Sequence, residues 1–363
     1  MISEPRVEAG AVTVLRLYDV AYAIDLAAAE RLAGAETAAV ARVRLARAEP
    51  KAIDFGIPPV EIGLGPVELG AEMATAHARV YDFGAVSLLL RVPIAGVPWT
   101  EFVDRSNAVD RAAQESPAWV ELLERLRGVI GPALERPTPD AALEEDYLLA
   151  GVRRFEPPLG AADVLGGLDL APLLSGERRE LSEASRRELL RHAFSYYTTD
   201  LVVLTWDHAF ILEPSGDTDV ADVLEVANAQ LLELRYYDEL LDAELPRMYD
   251  RVEAARRGWA GLARRRYADL ARQLYTLVAE VTEITERVDN ALKVTEDVYL
   301  ARIYGSALEL FRVPTLSAAV NRKLAIIRDT YTALYDEAAT ARAEILELGI
   351  FILIILELVL ALL

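Results

Sequence analysis

The chain has 363 residues, of which 53% are hydrophobic and 26% are charged, a composition that excludes a disordered or collagen-like protein. Lysine and arginine number 38 against 58 acidic residues, and the formal net charge is −20. Because so acidic a protein is repelled by phosphate backbones, nucleic-acid binding is not expected. Cysteine is absent and histidine occurs three times, which excludes disulfides and thiolate metal sites. We expect neither a metal nor a cofactor.

The first half of the chain mixes strand and helix patterns. Val12–Tyr18 is rich in β-branched residues and predicts a strand, whereas Leu26–Leu32 predicts a helix. Thr75–Val92 predicts two strands joined by a glycine turn. Helices are predicted to begin near Thr100 and at Pro117, since proline suits the first helical position.

Further elements follow before residue 213. Tyr147–Phe155 predicts a strand, and Ser182 is expected to cap a helix that runs to His192. Asp200–Leu212 predicts a hairpin. Residues 1–213 are therefore predicted to form an α+β domain with antiparallel hairpins.

Heptad patterns replace these signals after Pro214. Apolar residues recur at alternating steps of three and four, as in coiled coils. Three such runs predict long helices at residues 217–257, 262–312 and 315–363. Gly258 and Pro314 are expected to separate them, and Pro246 to kink the first. Residues 214–344 are thus predicted to form a long helical hairpin, a coiled-coil-like arm.

The last nineteen residues, 345–363, are apolar apart from Glu347 and Glu357. A helix of this length rises about 28 Å, close to the ~30 Å hydrocarbon core of a bilayer. The heptad also continues through this segment, so an oligomeric coiled coil is the alternative. Because apolar side chains cover every face of the helix, the pattern favours lipid. We therefore predict a C-terminal transmembrane anchor.

The N-terminus lacks a basic region followed by an apolar run, so we expect no signal peptide there.

Two short segments resemble nucleotide-binding motifs. Asp82-Phe83-Gly84 matches the metal-binding triplet of protein kinases, but no glycine-rich phosphate loop or catalytic HRD loop accompanies it. We therefore expect an ordinary hairpin turn there. Gly63–Gly70 lacks the spacing of a dinucleotide-binding loop and is predicted to be a plain loop.

Catalytic signals are weak throughout the chain. His192 and His208 lie near Asp200 and Asp207, so an acid–base pair can be drawn. Such residues are also common at the ends of strands and helices without any chemistry. We therefore predict no catalytic residues.

Two acidic groups could hold a hard cation. They are Glu144-Glu145-Asp146 and the set Asp217, Asp219 and Asp222. The second group opens a predicted helix, where carboxylates stabilise the positive end of the helix dipole. We favour this structural interpretation over a metal site.

Residues 247–266 reverse the local charge. Seven arginines and two acidic residues give this segment a net charge of +5. Arginine and tryptophan both suit a membrane interface, whereas a carboxylate inside a membrane helix costs about 2.5–3.5 kcal/mol and turns toward a partner. The predicted membrane or partner contacts are Arg256, Arg257, Trp259, Arg264, Arg265, Arg266 and Glu357.

Five stretches carry a resemblance to a known family. They are VYDFGAVSLLL (80–90), LLELRYYDELLDAEL (231–245), ITERVDNALKV (284–294), VNRKLAIIRDTY (320–331) and EILELGIFILIILELV (344–359). With these the chain resembles the family "required for meiotic nuclear division", domain of unknown function 155. The resemblance implies one C-terminal transmembrane helix and no established enzymatic activity. In eukaryotic members it implies a mitochondrial role supporting translation, which does not carry over to a chain without a transit peptide.

From these patterns we expect a non-catalytic scaffold, tail-anchored in a bacterial cytoplasmic membrane with most of the chain in the cytoplasm. It self-associates through its helical arm and recruits a partner protein, while nucleic acid is an unlikely ligand. Two alternatives remain open at this stage. One is an enzyme of unknown chemistry in the first domain, and the other is a ribosome or RNA tether at the membrane.

Overall fold

The computed structural model describes residues 4–36, 40–42, 53–54, 58–138, 143–177, 179–256, 269–279, 281–282, 293–294 and 297–362. The chain divides into two compact units. The first unit comprises Met1–Glu233 and Arg287–Pro314, and the second comprises Leu234–Glu286 and Thr315–Leu363. The fold is α+β, with an N-terminal mixed sheet followed by long helices.

The strands, in chain order, are β1 (Arg6–Asp19), β2 (Ala21–Ile24), β3 (Val40–Arg42), β4 (Ile53–Asp54), β5 (Val60–Leu69), β6 (Glu72–Val80), β7 (Ala85–Ile94), β8 (Val97–Pro98), β9 (Leu134–Pro137), β10 (Glu144–Glu156), β11 (Ala193–Phe194), β12 (Leu201–Leu204), β13 (His208–Leu212) and β14 (Lys293–Val294). The main sheet has the order β11-β12-β13-β10-β1-β7-β6-β5-β3, and β8 adds to β1. Within it only the β10–β13 pair is parallel among the described pairings. Two small sheets pair β2 with β9 and β4 with β14.

The helices are α1 (Leu26–Glu36), α2 (Trp99–Gln114), α3 (Ala118–Ile130), α4 (Ala161–Gly167), α5 (Ala171–Ser175), α6 (Glu183–Leu189), α7 (Asp219–Arg256), α8 (Val298–Leu310) and α9 (Val313–Leu362). Residues 269–279 and 281–282 are also helical. The second unit contains α7 from Leu234 onward and α9 from Thr315 onward, whereas the start of α7 and all of α8 belong to the first unit.

Both faces of the central strands are buried, because side chains alternate along each strand. One set, which includes Val12, Leu88 and Val152, joins the main core with aromatic residues of α2 and α3. The start of α7 and α8 cover the other face. There Arg79 of β6 meets α7, and the ring of Tyr147 meets Phe311 at a centroid distance of 5.5 Å.

Most predicted elements of the first domain are confirmed. The strands at Val12–Tyr18 and Tyr147–Phe155, the helix at Leu26–Leu32 and the Asp200–Leu212 hairpin all lie within observed elements. Ser182 accepts the amide N–H of Ser185 and caps α6 as expected, although that helix ends at Leu189. The observed starts of α2 and α3 differ from prediction by one residue.

The loop predicted over Gly63–Gly70 is wrong. These residues form most of β5, which pairs with β6 up to Leu69. The pairing shifts register between Gly63 and Gly65, and Gly65 has a φ of +86°. A bulge of this kind lets glycine occur inside a strand, which the sequence pattern alone does not distinguish from a loop.

The turn at Asp82-Phe83-Gly84 joins β6 to β7 and is an ordinary hairpin turn, as predicted. Gly84 has a φ of +103°, a backbone conformation that favours glycine. The chain also passes very close to Ala21 at this point.

Of the three long helices predicted after Pro214, the first and the third are confirmed and the second is wrong. Helices α7 and α9 match the predictions of 217–257 and 315–363 within two residues, and α7 continues through Pro246. The single helix predicted over 262–312 is interrupted by β14, and Asp297 caps the separate helix α8. The carboxylate of Asp297 accepts two amide N–H groups there, which makes it a helix start.

Within the second unit, Lys323 links α9 to α7. Its Nζ lies 2.6 Å from Oδ1 of Asp238 and 2.7 Å from Oδ1 of Asp242. Burial opposes the charge of Lys323, but the two carboxylates raise its pKa. This ion cluster connects the two helices within the second unit.

In the part of the chain that the structure describes, none of the helices combines the length and the apolar character that crossing a membrane requires. The transmembrane helix predicted at 345–363 is thus not found. Most side chains of that segment lie outside the described residues.

Candidate functional site

His208 occupies the candidate site that the sequence suggested most directly. It begins β13, directly after the tight connection from β12, and its side chain is buried. Its Nδ1 lies 2.9 Å from Oδ1 of Asp207, and its Nε2 lies 3.7 Å from Oδ2 of Asp110 on α2. The imidazole therefore sits between two carboxylates at ion-pair distances.

This environment decides the protonation of His208. Burial alone would lower the pKa of the imidazole, but Asp110 and Asp207 outweigh it and raise the pKa to about 9. Burial would raise the pKa of Asp207, yet the neighbouring histidine lowers it. The two carboxylates therefore favour the protonated imidazolium, a form that has no free lone pair with which to accept a proton.

The stability of the first unit should depend on this histidine in alkaline solution. A histidine whose folded pKa is raised from 6.5 to about 9 stabilises the fold fully below the unfolded value, and this contribution is lost as pH rises toward 9. We expect the free energy of unfolding to fall by about 2 kcal/mol between about pH 7.5 and 9. Urea titrations followed by tryptophan fluorescence measure it. His208→Gln should abolish this slope, and an unchanged slope would contradict the assignment.

His192 and Asp200 make contacts away from His208. Nδ1 of His192 lies 2.7 Å from the hydroxyl oxygen of Ser306 on α8, a contact that joins the end of α6 to that helix. The carboxylate of Asp200 accepts the backbone N–H groups of Tyr196 and Tyr197. Of the four residues considered for an acid–base pair, the structure thus brings together His208 and Asp207, and it adds Asp110, which the sequence analysis missed.

The structure places the two predicted acidic groups on β10 and at the start of α7. Glu144 and Asp146 are exposed, while Glu145 points to the opposite, buried side of β10, so the three cannot converge on one ion. Asp219 and Asp222 lie in the first turn of α7. Across the described ranges, no group of three histidine or acidic side chains could hold a metal ion.

An ion cluster around Arg79 joins the sheet to α7. Nη1 of Arg79 lies 2.5 Å from Oδ1 of Asp222 and 2.7 Å from Oε2 of Glu225. Its Nε donates to Glu61 at 3.2 Å, and the hydroxyl of Tyr81 donates to Glu225 at 2.8 Å. One guanidinium therefore balances three carboxylates between strand and helix.

The carboxylate of Glu225 is only 1% exposed. Burial raises its pKa, and the charge of Arg79 opposes that rise. The sequence analysis missed this cluster, because its members are far apart in the chain. The available signal was an arginine between two buried positions of a strand, three residues before the Asp-Phe-Gly turn.

The arginine segment can be placed only in part. Arg257, Trp259, Arg264, Arg265 and Arg266 lie outside the described residues. Arg256 is the last residue of α7, and its side chain also lies outside the described set.

The end of α9 carries an exposed apolar segment, Ile350–Ile355. All six side chains are between 47% and 64% exposed, and Glu357 follows them as an exposed carboxylate. Successive helical residues are about 100° apart, so six in a row cover the whole circumference of the helix. A helix that is apolar all round requires lipid or several protein neighbours.

Comparison with known proteins identifies a different family from the one that the sequence stretches resemble. Residues 9–218 match the family model "Uncharacterized protein MJ0711, N-terminal domain". The uncharacterized protein MJ0711 of Methanocaldococcus jannaschii is 29% identical over 194 residues, which are 53% of this chain and 58% of that protein. The chain thus spans less than two thirds of this relative. No solved structure matches the chain.

The assignment to the family "required for meiotic nuclear division" is therefore wrong. Four of its five supporting stretches lie beyond residue 218, outside the matched range, and three of these four fall on α7 and α9. Heptads and apolar helices recur in unrelated proteins, so these stretches had little diagnostic value. The match over 9–218 covers the sheet and more than half of the chain. The chain belongs to the family of the MJ0711 N-terminal domain.

Proposed function

We propose that the protein is a non-catalytic scaffold, attached to a membrane by the end of α9, that self-associates through its helical arm and recruits a partner. The observation that carries the proposal is the exposed segment Ile350–Ile355. A single protein neighbour would cover one side of this helix, whereas lipid covers all sides at once. Each buried side chain of this size contributes about 1.5–3 kcal/mol, so insertion of the segment is strongly favoured.

Self-association is supported by the same helix. Glu357 lies two residues beyond the apolar segment, and a carboxylate at membrane depth is costly unless it meets a partner. In the proposed assembly Glu357 faces a second copy of α9. The arginine-rich residues 247–266 supply the positive charge that anionic headgroups attract.

The non-catalytic part of the proposal rests on how candidate groups are used. His208 lies between two carboxylates that favour its protonated form, and Asp200 accepts backbone amides. The contact between His192 and Ser306 is the observation that most favours an enzyme. In a catalytic triad a carboxylate orients the histidine that contacts the serine. Among the described contacts, none joins a carboxylate to His192, whose Nδ1 atom makes the contact with Ser306.

Flotation of the full-length protein with neutral phosphatidylcholine vesicles tests the attachment. The wild-type protein should float with the vesicles. Ile352→Asp with Leu353→Asp should remain at the bottom of the gradient, because two charges within the apolar segment each oppose insertion by about 2.5–3.5 kcal/mol. Oligomer size in mild detergent, measured by sedimentation, reports on self-association in the same samples.

Tyr335→Asp is the matched control, because Tyr335 is an exposed residue of the same helix outside the apolar segment. This variant should float like the wild type. The proposal is wrong if the double variant floats equally well. It is also wrong if the wild-type chain stays in solution without detergent as a small, defined oligomer.

A further inference from the structure

Two exposed tyrosines of the first unit, Tyr196 and Tyr197, lie beside the half-buried ring of Tyr299, which follows the exposed Val298. We name these four residues the tyrosine surface. Tyr196 and Tyr197 are 65% and 67% exposed. Their ring centroids are 4.8 Å apart at 88°, and the Tyr196 ring lies 5.5 Å from that of Tyr299. Exposed tyrosines clustered in this way are typical of protein interfaces.

The loop that carries the two tyrosines is fixed from both sides. Asp200 accepts the amide N–H of Tyr196 at 3.1 Å and that of Tyr197 at 2.6 Å. The carbonyl of Thr198 accepts the amide N–H of Ala161 at 2.9 Å. A Cβ atom at Gly160 would lie 2.6 Å from this carbonyl oxygen, so the loop packs tightly on the start of α4. A surface held in place before binding loses little entropy when a partner binds.

Acidic groups lie beside the tyrosine surface. The charges of Asp200 and Glu213 both act on Tyr299 and help to raise its pKa, with burial as the larger cause and Arg302 opposing them. Asp297 immediately precedes Val298. Burial and the charge of Asp217 raise the pKa of Asp219 to about 7, and the charges of Asp222 and Asp297 add smaller contributions. A neighbouring cation would relieve this repulsion between carboxylates.

We propose that the tyrosine surface is the recruitment site of the scaffold and that it binds an arginine-bearing basic segment of a partner protein. This inference rests on the proposed function, of which it names the partner chemistry. Guanidinium groups stack on tyrosine faces, and the neighbouring carboxylates complement their charge and steer their approach. The same carboxylates repel phosphate groups, so an RNA ligand is disfavoured.

Fluorescence anisotropy of a labelled oligoarginine peptide tests the proposal, with the full-length protein in mild detergent. The peptide should bind, and Tyr196→Ala with Tyr197→Ala should weaken binding by roughly ten-fold, as expected for the loss of two cation–π contacts. An oligolysine peptide of the same length should bind more weakly, because lysine lacks the planar group that stacks. Tyr275→Ala removes an equally exposed tyrosine of the second unit and should leave binding unchanged.

Three results would overturn the proposal: equal peptide binding by the double tyrosine variant, equal binding of oligoarginine and oligolysine, or a change of oligomer size in the double variant. The last result would assign the surface to a second copy of the chain. The test is separate from that of membrane attachment. Ile352→Asp with Leu353→Asp should bind the peptide like the wild type, and the double tyrosine variant should still float with vesicles.

Discussion

Replacing Arg79 by methionine is expected to lower the free energy of unfolding of the first unit by about 3–5 kcal/mol. Methionine keeps most of the side-chain volume but removes the charge that lies 2.5 Å from Asp222 and 2.7 Å from Glu225. Glu225 would then remain as a buried carboxylate beside a second negative charge. Urea unfolding at neutral pH, followed by tryptophan fluorescence, measures the loss; Trp99, Trp119 and Trp206 all lie in this unit.

Arg154→Met is the matched control. Arg154 pairs with Glu8 at 2.5 Å, but both side chains are exposed, so its loss should destabilise the unit far less than the loss of Arg79. Adding Glu225→Leu to Arg79→Met should recover part of the stability, because the buried charge is removed along with its partner. If Arg79→Met costs no more than Arg154→Met, the cluster does not stabilise the contact between sheet and helix.

Local patterns were sufficient for much of the sheet. The β-branched run of β1 and the paired runs of β6 and β7 predicted their strands, because alternation and turn chemistry are encoded within a few residues. Strand β5 escaped prediction because Gly63, Gly65 and Pro66 resemble a loop. Its pairing with β6 outweighs this local preference, and the bulge at Gly65 absorbs the irregularity.

The helical half shows a different limit. A heptad pattern reports which residues can face a neighbouring helix, but it does not report whether one helix or two carry the pattern. The start of α8 did have a local signal, since Asp297 precedes an apolar run and caps the helix. The heptads on either side of that residue concealed it.

The contacts of the candidate sites could be predicted only where the partners are adjacent in sequence. Asp207 and His208 are neighbours, and their proximity was expected. Asp110 reaches His208 from α2, and Asp222 reaches Arg79 from α7. Both contacts follow from tertiary packing, which a single sequence does not specify. The tyrosine surface has the same origin, because Tyr299 joins Tyr196 only when α8 packs beside the loop.

Gly84→Ala is expected to destabilise the first unit by about 3–5 kcal/mol, because two independent costs coincide. The φ of +103° at Gly84 strains any other residue. A Cβ atom there would also lie 1.8 Å from the carbonyl oxygen of Ala21. The chain segments cannot easily separate, since Val20 donates its amide N–H to the carbonyl of Gly84 at 3.1 Å and Ile24 donates to that of Asp82 at 3.0 Å. Urea unfolding followed by tryptophan fluorescence measures the cost.

Gly96→Ala separates the cost of backbone strain from the cost of the steric clash. Gly96 also has a positive φ, +70°, but a Cβ atom there would meet nothing within 4 Å. Its substitution should therefore cost only the backbone strain of a left-handed residue, about 1–2 kcal/mol. The difference between the two variants measures the close approach of the β6–β7 turn to Ala21. Equal losses would mean that this turn moves freely away from Ala21, and that glycine is required at position 84 for its φ angle alone.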